Sequence, residues 1–257
     1  MLQIENGARV ETMNRKEKSK IKPIFIIGVP RCGSTLLEKI IASGEKFIPI
    51  GEETSVIEYF VNSRRLSQKS LNLGDVADVE GEINKIYKNK GLISEEFNYT
   101  FTDKSLNNFI YLRLIKEIYP EAKIINCRRD VLSSIMSIFQ NNLSELAWAH
   151  QLDNIFKYFD NYFKIIDKFE KDNPGFIYNL QFEDLTHNPE YQTKKLMEFC
   201  SLPWSKKCLE FYKRRDLILK TTSNVQVRKS IYTHTSERYL PYKKHLQKYG
   251  EKYSWFA

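Results

Sequence analysis

The chain has 257 residues, 42% of them hydrophobic and 28% charged, with 40 Lys and Arg against 32 Asp and Glu, a net charge of +8. Sixteen Phe, 15 Tyr and 3 Trp exclude intrinsic disorder, no run approaches the ~18 apolar residues of a membrane span, and the polar N-terminus lacks the apolar stretch of a secretory signal. Four cysteines without a C-x-x-C pair predict a reduced, cytoplasmic protein with no structural zinc, and the basic balance predicts an anionic partner of unspecified kind.

In chain order, residues 1–21 read as a polar tail or linker and 22–257 as one domain. Pro23–Ile27 is a short apolar run ending at Gly28, the pattern of a strand buried on both faces. Ser34–Ser43 follows with Leu36, Leu37, Ile40 and Ile41 at helical spacing. Phe47–Ile50 reads as an extended piece leading through Gly51-Glu52-Glu53-Thr54 into a helix that runs to about Phe60. Residues 62–98 are polar and helical in part. A short strand precedes Lys104, Leu106–Tyr119 is a helix, Ala122–Cys127 a second buried strand and Asp130–Gln140 a helix. Leu146–Phe169 is a long amphipathic helix closed by Asn173-Pro174-Gly175, Phe176–Leu180 a third strand, and Tyr191–Cys200 another helix. Strands separated by helices predict an α/β domain with a parallel β-sheet flanked by helices. From Lys206 onward 13 Lys and Arg face 4 Asp and Glu, so the positive surplus is concentrated there.

Gly28-Val29-Pro30-Arg31-Cys32-Gly33-Ser34-Thr35 carries the strongest chemistry. A tight turn from a buried strand into a helix presents backbone N–H groups at the helix's positive end, a ready site for a phosphate. In the nucleoside-triphosphate P-loop a Lys stands where this chain has Ser34, and the only cation within this loop is Arg31. The alternative is a plain strand–helix turn that uses glycine for geometry. Arg128-Arg129-Asp130, again between a strand and a helix, reads as a second anion site, with Arg129 able to fork onto a phosphate and Asp130 capping the helix; alone, it reads equally as an exposed salt-bridge cluster.

PIFIIGVPRCGSTLL resembles the 5′-phosphosulfate-binding loop of sulfotransferases that use 3′-phosphoadenosine-5′-phosphosulfate (PAPS). The match is to the P-R-S-G-T-T/S-L version of bacterial and tyrosylprotein sulfotransferases, with Cys32 in place of the usual Ser. Further motifs follow in order over most of residues 23–246. The resemblance implies the P-loop-containing nucleotide-hydrolase-like fold, PAPS as sulfate donor, 3′-phosphoadenosine-5′-phosphate (PAP) as product and no metal. Arg31, Cys32, Gly33, Ser34 and Thr35 would hold the 5′-phosphosulfate, and Arg129 with Ser137, eight residues on, the 3′-phosphate. Phe182-Glu183-Asp184-Leu185 with Pro189 resembles Y-E-D-L…P, which gives Phe182 either adenine stacking or core packing. Thr221–Leu246 resembles a late family segment. It implies Ser223 near the reacting sulfate, Gln226, Arg228 and Lys229 as cofactor contacts, and Arg238 on the cofactor, although Ser230 and Tyr239 replace a usual Pro and Trp.

Sulfuryl transfer needs a base for the acceptor and positive charge at the leaving phosphate. Gly51-Glu52-Glu53-Thr54 resembles the G-E-E-T of tyrosylprotein sulfotransferases and implies Glu53 as general base, its carboxyl raised by partial burial; otherwise both acids are first-turn helix residues. Lys104 matches a family Lys and with Arg31 would stabilise the leaving group. The acceptor is a hydroxyl or amine on a protein tyrosine, a carbohydrate or a small molecule, with no nucleic acid partner. Three other readings stay open: a P-loop-like kinase or NTPase, a basic nucleic-acid-binding module, and a nucleotide-binding protein without transferase activity.

Overall fold

In a computed structural model of the chain, the residues described are 19–66, 76–94, 99–141, 143–214 and 236–256. Four parallel strands, β1 (Ile24–Gly28), β2 (Thr102–Asp103), β3 (Lys123–Arg128) and β4 (Ile177–Gln181), form a sheet in the order β2-β1-β3-β4. Ile24-Phe25-Ile26-Ile27 is wholly buried, which its uninterrupted apolar sequence anticipates for a strand covered on both faces. Register aligns the strand ends: Gly28 lies opposite Cys127, and Cys127 opposite Leu180. The loops that leave β1, β3 and β4 therefore emerge along one edge, where open parallel sheets place their ligands.

The helices are α1 (Ser34–Ala42), α2 (Val56–Leu66), α3 (Val76–Asn89), α4 (Leu112–Ile118), α5 (Val131–Gln140), α6 (Leu152–Asp172), α7 (Phe182–His187), α8 (Pro189–Phe199) and α9 (Lys243–Leu246). Asp130 caps α5 as expected, its side chain accepting from Ser133 N at 2.7 Å. In α6, Ile155, Phe159, Tyr162, Ile166 and Phe169 recur at three- and four-residue spacing and are all buried. Tyr249, Tyr253 and Trp255 stack on Phe156, with centroids at 3.9, 5.7 and 5.6 Å, and fasten the C-terminal residues to that helix.

Two expected helices are divided. Leu106–Tyr111 is 3-10 before α4 begins, and Ala147–His150 is a 3-10 turn separated from α6 by the extended Gln151. The extended piece before Gly51 forms no full strand. Instead Pro49 O and Gly51 O accept from Thr102 N (3.0 Å) and Lys104 N (2.9 Å), and Glu52 makes one parallel bridge to Lys104. That segment runs along the outer edge of β2. Among the described residues, no helix is long and apolar enough to cross a membrane, and all four cysteines are buried free thiols.

Candidate active site

The loop after β1 is shaped by two glycines whose backbone conformations other residues rarely adopt. Gly28 has φ +152°, and a Cβ there would lie 2.6 Å from the Cys127 carbonyl on β3. Gly33 has φ +101°, and a Cβ there would meet the Phe182 ring at 2.3 Å. Between them Arg31 takes the left-handed conformation, φ +70°. The chain then enters α1 directly, with Leu36 N and Leu37 N bonded to Gly33 O and no acidic residue in the first turn. Such a turn presents the positive end of a helix. Cys32 is fully buried, and its carbonyl accepts from the Cys127 thiol at 3.3 Å, which ties the loop to β3.

The ends of β3 and β4 complete one wall. Arg31 Nε donates to Ser137 Oγ at 3.2 Å, and Arg129 Nη1 donates to the Arg31 carbonyl at 3.1 Å. The Arg129 guanidinium lies over the Phe182 ring, 5.3 Å from its centroid, while the same ring rests on Gly33. The structure thus brings Arg31, Gly33, Arg129, Ser137 and Phe182 together from four separate segments. Burial, and after it the neighbouring Arg129 charge, pulls the Arg31 guanidinium below its ordinary value. Arg129 Nε is buried without a hydrogen-bond partner. Two close cations and an unmatched N–H make a site that an anion would satisfy. Arg128, next in sequence, is exposed. Substituting Arg129 by Ala is therefore expected to weaken PAP binding by about tenfold to a hundredfold, the loss of a charge-assisted bond, with Arg128→Ala near wild type. Calorimetric titration of both variants checks this, and equal losses would refute the distinction.

Glu183, which the sequence reading passed over, ties this wall together. Its Oε1 accepts from Asp130 N at 3.0 Å and its Oε2 from Gln181 Nε2 at 2.6 Å, linking the end of β4 to the start of α5. Its place in the F-E-D-L motif was the available signal.

A second wall stands on β2. Lys104 is 1% exposed, and its Nζ lies 3.7 Å from Glu52 Oε1 and 3.6 Å from Glu53 Oε1. Glu52 is 10% exposed but Glu53 is 61% exposed, so the partial burial expected of Glu53 is absent. Glu53 and Ser55 both have positive φ, +48° and +51°. Asp103 holds this strained segment. Its carboxylate accepts from Tyr87 OH (2.6 Å), Thr54 Oγ1 (2.8 Å), Ser105 N (3.0 Å) and Ser105 Oγ (2.6 Å), while Ser105 Oγ accepts from Ser55 N at 2.8 Å. Burial pushes the Asp103 carboxyl up and these donors oppose it. Tyr87 comes from α3, so the polar stretch 62–98 supplies part of this support.

Ser34 and Thr35 are buried at the start of α1. Ser223, Gln226, Arg228 and Lys229 fall in 215–235, outside the described residues. Arg238 lies in the 3-10 turn Ser236–Tyr242, with its side chain outside them.

A model of the sulfotransferase family matches residues 23–206. The chain is 31% identical over 254 residues to an uncharacterized protein of Aquifex aeolicus, covering 92% of this chain and 33% of that protein. It is 27% identical over 202 residues to protein-tyrosine sulfotransferase A of Caenorhabditis elegans, covering 72% of this chain and 51% of that one. It therefore spans about a third to a half of these curated relatives. In fold it is similar to the sulfotransferase domain of the Synechococcus PCC 7002 olefin synthase, with TM-score 0.62, 17% identity, and 90% of this chain and 91% of that chain covered. It is also similar to mouse sulfotransferase SULT7A1 complexed with PAP, with TM-score 0.50, 13% identity, and 90% and 84% covered. The family match begins just before β1, takes in the glycine loop, Lys104, Arg129 and the F-E-D-L segment, and runs past β4: the chain belongs to the sulfotransferase family.

Proposed function

We propose that the protein moves a sulfuryl group from PAPS to a hydroxyl or amine acceptor. The observation that carries this reading is the cluster of Arg31, Arg129 and Ser137 beside the glycine loop, with a buried Arg129 N–H left without an acceptor. One anion beside α1 and a second beside Arg129 and Ser137 describe a bisphosphorylated nucleotide better than a triphosphate, which would need a lysine where Ser34 stands. PAPS, when bound, supplies an activated sulfuryl group on its 5′-phosphate.

The chain's own groups supply the rest. Arg31, Cys32, Gly33, Ser34 and Thr35 form the cradle for the 5′ end, and Arg129 and Ser137 hold the 3′-phosphate. Phe182, held between Gly33 and Arg129, is the aromatic ring placed to stack on the base. Lys104 and Arg31 offset the charge that develops on the leaving phosphate. Glu53, exposed and 3.6 Å from Lys104 Nζ, takes the proton from the acceptor. Its exposure suits a base that must meet an acceptor arriving from solvent. The Caenorhabditis relative is named for tyrosine, and the G-E-E-T segment supports a phenolic hydroxyl among the acceptors.

Calorimetry with PAP, AMP and ATP tests the reading. PAP is expected to bind about tenfold to a hundredfold more tightly than AMP, the contribution of one charge-assisted phosphate contact. Equal binding of PAP and AMP, or magnesium-dependent turnover of ATP, would overturn it.

A further inference from the structure

Beneath Lys104 lies a group that the reaction as described does not use. Glu38, on the second turn of α1, is fully buried. Its Oε1 accepts from Thr102 Oγ1 at 2.7 Å, and the same hydroxyl oxygen accepts from Gly51 N at 3.1 Å. One side chain of β2 therefore joins the helix of the glycine loop to the first residue of the Gly51–Thr54 segment. The other Glu38 oxygen, Oε2, is buried with no hydrogen-bond partner.

The charges around it do not balance. Asp103 and Lys104 face Glu38 from β2 and its end, and Glu52 faces it from the segment along the edge. The wholly buried carboxyls of Glu38 and Asp103 share this one ammonium with Glu52 and the exposed Glu53, 3.7 and 3.6 Å from it. Fully ionised, Glu38 and Asp103 would bury more negative charge than Lys104 offsets, which a protein interior avoids by keeping a proton. The donors decide which carboxyl keeps it. Asp103 has four hydrogen bonds that favour its anion, and Glu52 pairs with Lys104 at the rim. Glu38 has one donor and a bare oxygen. Burial pushes its carboxyl up to about 7, against the opposing pull of Lys104 and Thr102.

We propose that Glu38 is a proton-linked positioning residue: it competes for the charge of Lys104 in the free protein and gains a proton when an anionic phosphate group docks beside that lysine. The uptake leaves the Lys104 ammonium to the ligand, and Thr102 keeps the Gly51–Thr54 segment in register through the change. This rests on the reading of the loop and Lys104 as the donor's anion site.

The test uses the full chain labelled with 13C at glutamate carboxyls, with PAP as the probe. In the free wild-type protein one glutamate carbon is expected to titrate near neutrality. It should move to higher pH when PAP is bound and be missing from Glu38→Gln. Calorimetry from pH 6 to 8 should show wild-type affinity for PAP falling behind that of E38Q by up to about tenfold, the value of a one-unit displacement. A merely structural role would change the two affinities by the same factor at every pH. Parallel profiles, no glutamate titrating near neutrality, or one that PAP leaves unmoved would each overturn the proposal. Should E38Q not fold, the wild-type titrations with and without PAP decide alone. Failure of PAP to bind the wild type would instead overturn the donor reading and the anion linkage with it, while the titration of the free protein still decides whether Glu38 holds the proton.

Discussion

Replacing Lys104 by alanine is expected to lower turnover by about a hundredfold to a thousandfold, the scale of removing one group that stabilises transition-state charge. PAP affinity should fall by no more than about tenfold, since the loop and Arg129 remain. The asymmetry follows from where the ammonium sits. At 3.7 and 3.6 Å, neither Glu52 nor Glu53 holds it at hydrogen-bond distance, so its N–H groups remain available to an oxygen whose charge grows during reaction. The change also removes the ammonium beside the nearly buried Glu52, with a loss of stability of up to about 3–5 kcal/mol. The kinetics must therefore be run where the variant is still folded. PAP release from PAPS with a phenolic acceptor, set beside calorimetric PAP binding, separates the two effects. Equal losses in both would refute a role confined to the transition state.

Asp103→Ala is the second large effect, and it is one of stability first. The side chain serves Tyr87 OH, Thr54 Oγ1, Ser105 N and Ser105 Oγ together. Its removal strands buried donors, each costing about 1–3 kcal/mol when it finds no other partner. Relaxation and water entry reduce the sum, so the expected loss is about 3–5 kcal/mol. Tyr87→Phe, which removes one donor together with its bond, should cost about 1 kcal/mol. Urea denaturation of both variants checks the contrast, and a similar midpoint for the two would sink the idea of a shared anchor. Turnover should fall as well, because Glu53 and Ser55 keep their left-handed backbone only while Thr54 and Ser105 are tied to Asp103.

Much of the frame was legible because its signals are local. Ile24–Ile27 is a continuous apolar stretch too short for a helix, Ile124–Cys127 is a short run broken only by Asn126, and Asp130 announces α5 by the chemistry of its carboxylate. The division of Leu106–Tyr119 was not legible, since an apolar stripe at helical spacing does not distinguish a 3-10 start from an α-helix. At the site, the glycine loop, Arg129 and Lys104 could be picked out by motif. Their supports could not. Glu38, Thr102, Asp103 and Tyr87 are scattered over 66 positions of sequence and meet only because β2 lies beside β1 and α3 closes over it. Similarly, two adjacent arginines look alike in sequence, and the end of β3 decides that Arg128 faces outward while Arg129 meets Arg31 and Phe182.

The strand order has a metric consequence. Adjacent strands in a sheet lie ~4.8 Å apart, so from β2, which Lys104 follows, to β4, which Phe182 follows, the order β2-β1-β3-β4 covers three intervals, about 14 Å. A ligand whose reacting end lies over the first strand and whose flat ring lies over the last must have that reach, with its middle crossing the glycine loop and the arginine on the two strands between. The width of the sheet thus sets a length that such a ligand has to match, separately from the charge of any single contact.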